Sequence, residues 1–257
     1  MAGSVSLTDV WQAFFPAAAV SANSSVALVV INIVAAIAAD SSSSSIIASV
    51  SSNSLPLVQL VAPGHSRYRK IKQALSANAI FNGGLQQALF SSLLEGEDYI
   101  QSSLDGTATS DALLTWSRSQ PDTVQRSPSF ARGIVADAVF KALTSEKIDQ
   151  LKTIMSTLSS IVAGASSEGS GARNFVESFV LSGVHVACVA DELFPEDAIA
   201  KVVSLLKDGG VLSVAGMKTW MALVPSSDPL AASVSSTSSL QEVLGRSVAE
   251  KVLATIV

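Results

Sequence analysis

Gly64-His65-Ser66 follows an apolar run and precedes a charged stretch, the order in which strand, sharp turn and helix present a hydrolase's nucleophilic serine. That turn needs a glycine two residues beyond the serine so that backbone and neighbouring strand can approach, and Tyr68 stands there instead. A serine ahead of a charged helical run is also a common N-cap, so Ser66 reads as structural. A triad would further require His185, the one histidine outside this motif, with Asp149, Asp191 or Glu192. A second enzymatic pattern lies in residues 182 to 217, which read as strand, helix, strand, like the late portion of a Rossmann-type methyltransferase. No early strand is followed by the glycine-rich turn that would hold the cofactor. His185, Cys188 and Asp191, at successive threes, share one helical face as metal ligands do, but no second ligand pair accompanies them. The expectation is a chain that is not an enzyme, with no catalytic residues, no cofactor and no metal.

Arg67-Tyr68-Arg69-Lys70-Ile71-Lys72 carries different chemistry. At about 100° per residue, Tyr68 and Ile71 fall with Leu75 on one helical stripe, Arg67 and Lys70 on one flank, and Arg69 and Lys72 on the other. The stripe packs inward while the long cations reach past it. These four are the only basic residues in positions 1 to 94, against two acids, a concentration that points to a phosphate partner. Arg118, Arg126, Arg132 and Arg173 follow in serine-rich settings without adjacent acids. Arginine with serine hydroxyls can hold phosphate and sugar without reading bases, and Tyr68, Trp116 or Phe130 would stack on a base. The formal charge of −5 excludes a loosely wrapped basic coat and leaves room for a narrow groove. The RNA-binding set expected from the sequence is therefore Arg67, Tyr68, Arg69, Lys70, Lys72, Arg118, Arg126, Arg132 and Arg173.

The elements that must position these residues are helices. Residues 145 to 163 place Ile148, Leu151, Ile154, Met155, Leu158, Ile161 and Val162 on one face, with Ser145 as cap and Gly164 as stop. A second helix begins at Ser127-Pro128 and presents Phe130, Ile134, Ala138 and Leu143. A third begins at Pro195, has acids in its first turn and ends at Lys207 and Gly209-Gly210. At the tail, Ser239 stands three residues before Glu242 as a capping box, ahead of the apolar face Val243, Leu244, Val248 and Val252. Further helices are expected at about 7–15, 26–39, 66–80, 85–94, 110–118 and 172–181. The fold class is mainly α: one helical domain with extended or docking terminal segments. Its parts are an N-terminal arm (1–25), a helical core (26–223), and a serine-rich connector with a C-terminal docking helix (224–257).

Of the 257 residues only 14% are charged, while 44 are serine and 36 alanine. A soluble domain ordinarily carries about 25% charge, so a chain this poor in it suits a subunit that packs against its own copies. Residues 10 to 39 hold no charge at all, yet the apolar run 26 to 39 is too short for a membrane span of about 20 residues. Asp9 and the lack of a basic n-region also read against a signal peptide. No membrane partner is expected, and the single Cys188 fits a reducing compartment.

Size and composition together resemble the proline-alanine-serine-rich proteins of polymycoviruses, fungal double-stranded RNA viruses whose genomes these proteins coat. The resemblance spans the whole chain, rests on composition and carries no motif. It implies a capsid-like nucleoprotein that coats RNA, in some members as filaments, located in the virion and the host cytoplasm. The competing expectation is an all-α oligomerising interaction module without a nucleic-acid role, or, further off, a degenerate methyltransferase-like enzyme.

Overall fold

The computed structural model describes residues 85–166, 170–189 and 194–223. The described residues are mostly helical and contain no strand: α1 (Leu85–Leu104), α2 (Ser110–Ser119), α3 (Asp122–Gln125), α4 (Pro128–Thr144), a 3₁₀ turn (Ile148–Gln150), α5 (Leu151–Ala165), α6 (Ser170–Val189), α7 (Glu196–Asp208) and α8 (Val214–Leu223). The mainly α class read from the sequence holds for them. The strand, helix, strand reading of 182 to 217 does not, because α6 runs through Val189 and α8 begins at Val214.

α4 is the centre. It packs along α6, α1 and α5, and α6 packs in turn on α8. A helix covered on every side must be apolar or small on every side. Ser129 to Phe140 are all buried, together with Ala142 and Leu143. The face expected from the sequence is inside, but so are Arg132 and Asp137. The α1 crossing is close because each helix offers the other a glycine. A Cβ on Gly96 would lie 2.7 Å from Ile134 Cδ1 and from the Trp116 ring, and one on Gly133 would collide with Leu93.

The break between α4 and α5 corrects the single helix expected from 145. Ser145 closes α4 from its C-terminal side, donating its hydroxyl to the Lys141 carbonyl at 2.5 Å. Glu146 takes a left-handed conformation, φ 56°. The Lys147 N–H donates to Ala142 O at 2.8 Å and the Glu146 N–H to Leu143 O at 3.3 Å, the double bond of a Schellman stop. α5 then starts at Leu151, and the face of Leu151, Ile154, Met155, Leu158, Ile161 and Val162 is buried as expected. Gly164 lies inside α5 rather than ending it. α7 ends by the same device in its commoner form. Gly210 is left-handed (φ 70°), Val211 N–H donates to Leu206 O at 2.8 Å and Gly210 N–H to Lys207 O at 2.9 Å. Pro195 is the residue ahead of this helix, not its first.

Candidate nucleic-acid interface

The cluster Arg67, Tyr68, Arg69, Lys70 and Lys72 lies outside the described residues, as do Ser66, residues 1–25 and the tail from 224. Four expected RNA contacts are described, and the fold separates them.

Arg118 stands exposed in the last turn of α2, and Arg126, also exposed, closes the short α3. One glutamine ties the two ends of this corner. Gln125 Nε2 donates to the Arg118 carbonyl at 3.0 Å and to the Gln120 carbonyl at 2.6 Å. Gln120 is anchored to α1, accepting at its Oε1 from Ser92 Oγ at 2.6 Å. The Arg126 N–H donates to Asp122 O at 3.0 Å, which fixes the second arginine's backbone. Among the described residues neither guanidinium is in an ion pair. Among the described residues the corner therefore carries two exposed guanidinium groups without an acidic partner, groups of the kind that contact phosphate oxygens.

Arg132 is not part of any such surface. Gly183 on α6 leaves a notch into which its stem fits, with a Cβ there falling 2.5 Å from Arg132 Cγ. Its guanidinium lies 4.7 Å from the centroid of Phe179, and the residue is 6% exposed. Where the sequence expected an RNA contact, the cation sits between α4 and α6, held against a ring face.

Arg173 is half spent inside the fold. Its Nε donates to Glu177 Oε1 at 2.7 Å and its Nη2 to the Gly210 carbonyl at 3.1 Å, with the side chain 43% exposed. The expected stacking residues Trp116 and Phe130 are likewise internal. Trp116 stacks on Tyr99 at 5.2 Å and leans on Phe130 at 5.9 Å, and both residues are core. Contacts among α1, α2 and α4 already use their faces.

A constellation the sequence reading passed over joins α6 to α8. Glu177 is fully buried, and its Oε2 accepts from the Ser213 N–H at 2.9 Å and from the Ser213 hydroxyl. Ser213 Oγ in turn accepts from the Gly216 N–H at 3.0 Å, capping α8. In a capping box the N3 residue's carboxylate reaches back to the N-cap N–H. Here N3 is Gly216, and a side chain on it would strike Glu177, whose carboxylate arrives from the neighbouring helix to do the same work. Ser213-x-x-Gly216 lacks the acid that marks a capping box, so only the i,i+4 pair Arg173/Glu177 was visible in the sequence. The Ser213 hydroxyl is engaged at both its donor and its acceptor, as a capping hydroxyl is.

His185 and Cys188 lie one turn apart on α6, Asp191 falls outside the described residues, and among the described residues no three His, Cys, Asp or Glu side chains gather as metal ligands. No described helix is long and apolar enough to cross a membrane. No protein-family model, curated protein or solved structure matches this chain.

Proposed function

We propose that this chain is a non-enzymatic nucleoprotein that assembles with its own copies and coats RNA without sequence preference, in the manner its composition shares with polymycovirus coat proteins. The observation that carries this reading is the segregation of charge. The described residues include ten basic and thirteen acidic ones, whereas positions 1 to 94 hold their only four cations within six consecutive residues. A polyanion is repelled by the first distribution taken as a whole and attracted by the second. On the described body, Arg118 and Arg126 add a local phosphate contact. The phosphate contacts proposed are therefore Arg67, Arg69, Lys70 and Lys72 from the sequence cluster, and Arg118 and Arg126 on the described body.

The internal use of Arg132 and Arg173 favours a second reading, an oligomerising α-helical module that binds no nucleic acid. Electron micrographs of the purified protein with and without RNA separate the two. RNA-dependent filaments support coating. Assemblies identical in both samples, with RNA remaining free, support the module.

A further inference from the structure

Among the described residues Phe175 is the one large hydrophobic side chain left exposed, at 55%. It stands in the second turn of α6 and stacks on Phe179, rings 6.3 Å apart and 7° from parallel. Phe179 in turn receives the Arg132 guanidinium on its face. Three side chains therefore form a ladder that starts in the α4–α6 interior and ends on a ring open to solvent. We infer that Phe175 is a stacking platform for an unpaired RNA base, the ring contact that Trp116 and Phe130 do not supply.

Three features select this occupant. A stable protein partner buries about 800 Å² on each side, whereas one aromatic side chain offers about 150 to 250 Å² even when wholly covered, so the open ring is sized for another ring. Its partner ring is held by Arg132, so little freedom is lost when a further ring is added. Charge also fits: α6 and α8, which pack together, carry Arg173 half exposed and Lys218 exposed, while their single acid, Glu177, is buried and paired to Arg173. Asp208, exposed at the end of α7, has Lys207 beside it. A strand's phosphates meet no exposed carboxylate on either helix, and every base has a face to stack.

The inference rests on the RNA reading, and its test keeps the two apart. Full-length protein, Phe175→Leu and Phe175→Trp are titrated with a single-stranded RNA of about 16 nucleotides and with an abasic strand of the same phosphate count. Phe175→Leu keeps apolar volume at an exposed position and removes only the ring. It is expected to bind the base-bearing strand about tenfold more weakly, with an unchanged salt slope, to match wild type on the abasic strand, and to be rescued by Phe175→Trp. Equal affinity of Phe175→Leu and wild type for the base-bearing strand overturns the stacking role and leaves RNA coating standing. Equal weakening on both strands marks a structural ring and also overturns it. Altered sedimentation with unaltered RNA affinity assigns the ring to a contact between copies, against the inference. Wild-type protein that binds neither strand overturns RNA coating, and this inference falls with it.

Discussion

At the scale of single residues, two carboxylates show the contrast between a buried acid that holds elements together and an exposed one that does not. Glu177 accepts from Arg173 and from both donors of Ser213, the residue whose hydroxyl caps α8. Hydrogen bonds to a charged group contribute about 1.5 to 3 kcal/mol each, and orphaning their partners adds a desolvation cost. Glu177→Ala is expected to destabilise the protein by about 2 to 4 kcal/mol, read as a lower urea midpoint, and to speed amide exchange at Ser213 and Gly216. Glu177→Gln, which keeps an acceptor, should lose less. Asp105 makes the opposite case, a surface contact with a pH signature. Lys147 Nζ donates to its carboxylate at 2.6 Å and Gln101 Nε2 at 3.0 Å, and these bonds hold its pKa below the ordinary aspartate value. A carboxyl depressed in the folded state contributes stability that is fully present above its unfolded pKa. That contribution disappears as pH falls through the folded value. Asp105→Asn should therefore cost a small amount of stability at pH 7, as the loss of an exposed pair does, and the difference from wild type should close as pH falls below about 4. Urea midpoints measured across that range check it, and an unchanged acid limb counts against the pair.

At the scale of elements, the helices were legible where periodicity and end signals agreed. The buried face of α5, the Ser127-Pro128 start of α4 and the Gly209-Gly210 stop of α7 all stand where their spacing placed them. The α4–α5 boundary was not legible, because a serine next to acids and bases reads equally as the start of one helix or the end of another. The deciding residue is Glu146, whose left-handed φ no local pattern announces. Burial of all sides of α4 was likewise hidden, since Arg132 and Asp137 mark a solvated face by type, and only the α6 packing, with its Gly183 notch, shows otherwise. This is also why the candidate site came apart: residue type and absence of nearby acids grouped four arginines that packing distributes between surface, core and clamp. The Glu146 stop yields a prediction. A left-handed conformation costs a non-glycine residue about 1 to 2 kcal/mol, part of which glycine returns as unfolded-chain entropy. Glu146→Gly is exposed in its effect to nothing but the turn, and should raise stability by about 0.5 to 1 kcal/mol in urea unfolding. A loss of stability would show that the turn is not strained.

At the scale of the whole molecule, the described body is an acidic helical unit with one exposed large hydrophobic residue, so it offers little apolar surface for packing against copies. On the proposal that copies assemble, the contact falls to the segments around it, among which Gln241 to Val257 hold the acid of the Ser239/Glu242 capping-box pattern and the apolar row Val243, Leu244, Val248 and Val252. A head-to-tail contact that does not close produces an open array, and an RNA groove continuing from copy to copy needs such an array. Deleting Gln241 to Val257 is expected to abolish long assemblies in micrographs and sedimentation while most far-ultraviolet helical signal remains. Filaments of normal length in the truncated protein would place the contact elsewhere. The central claim, that phosphates are held by the cluster at positions 67 to 72, is tested most directly by the salt dependence of RNA binding. Each neutralised phosphate contributes about 0.7 to 0.9 to the slope of log affinity against log salt. Reversing Arg69 and Lys70 to glutamate should lower that slope by about 2 and weaken binding to every RNA sequence alike. A double variant with the wild-type affinity and slope, or a wild-type chain that leaves RNA unbound at low salt, contradicts it.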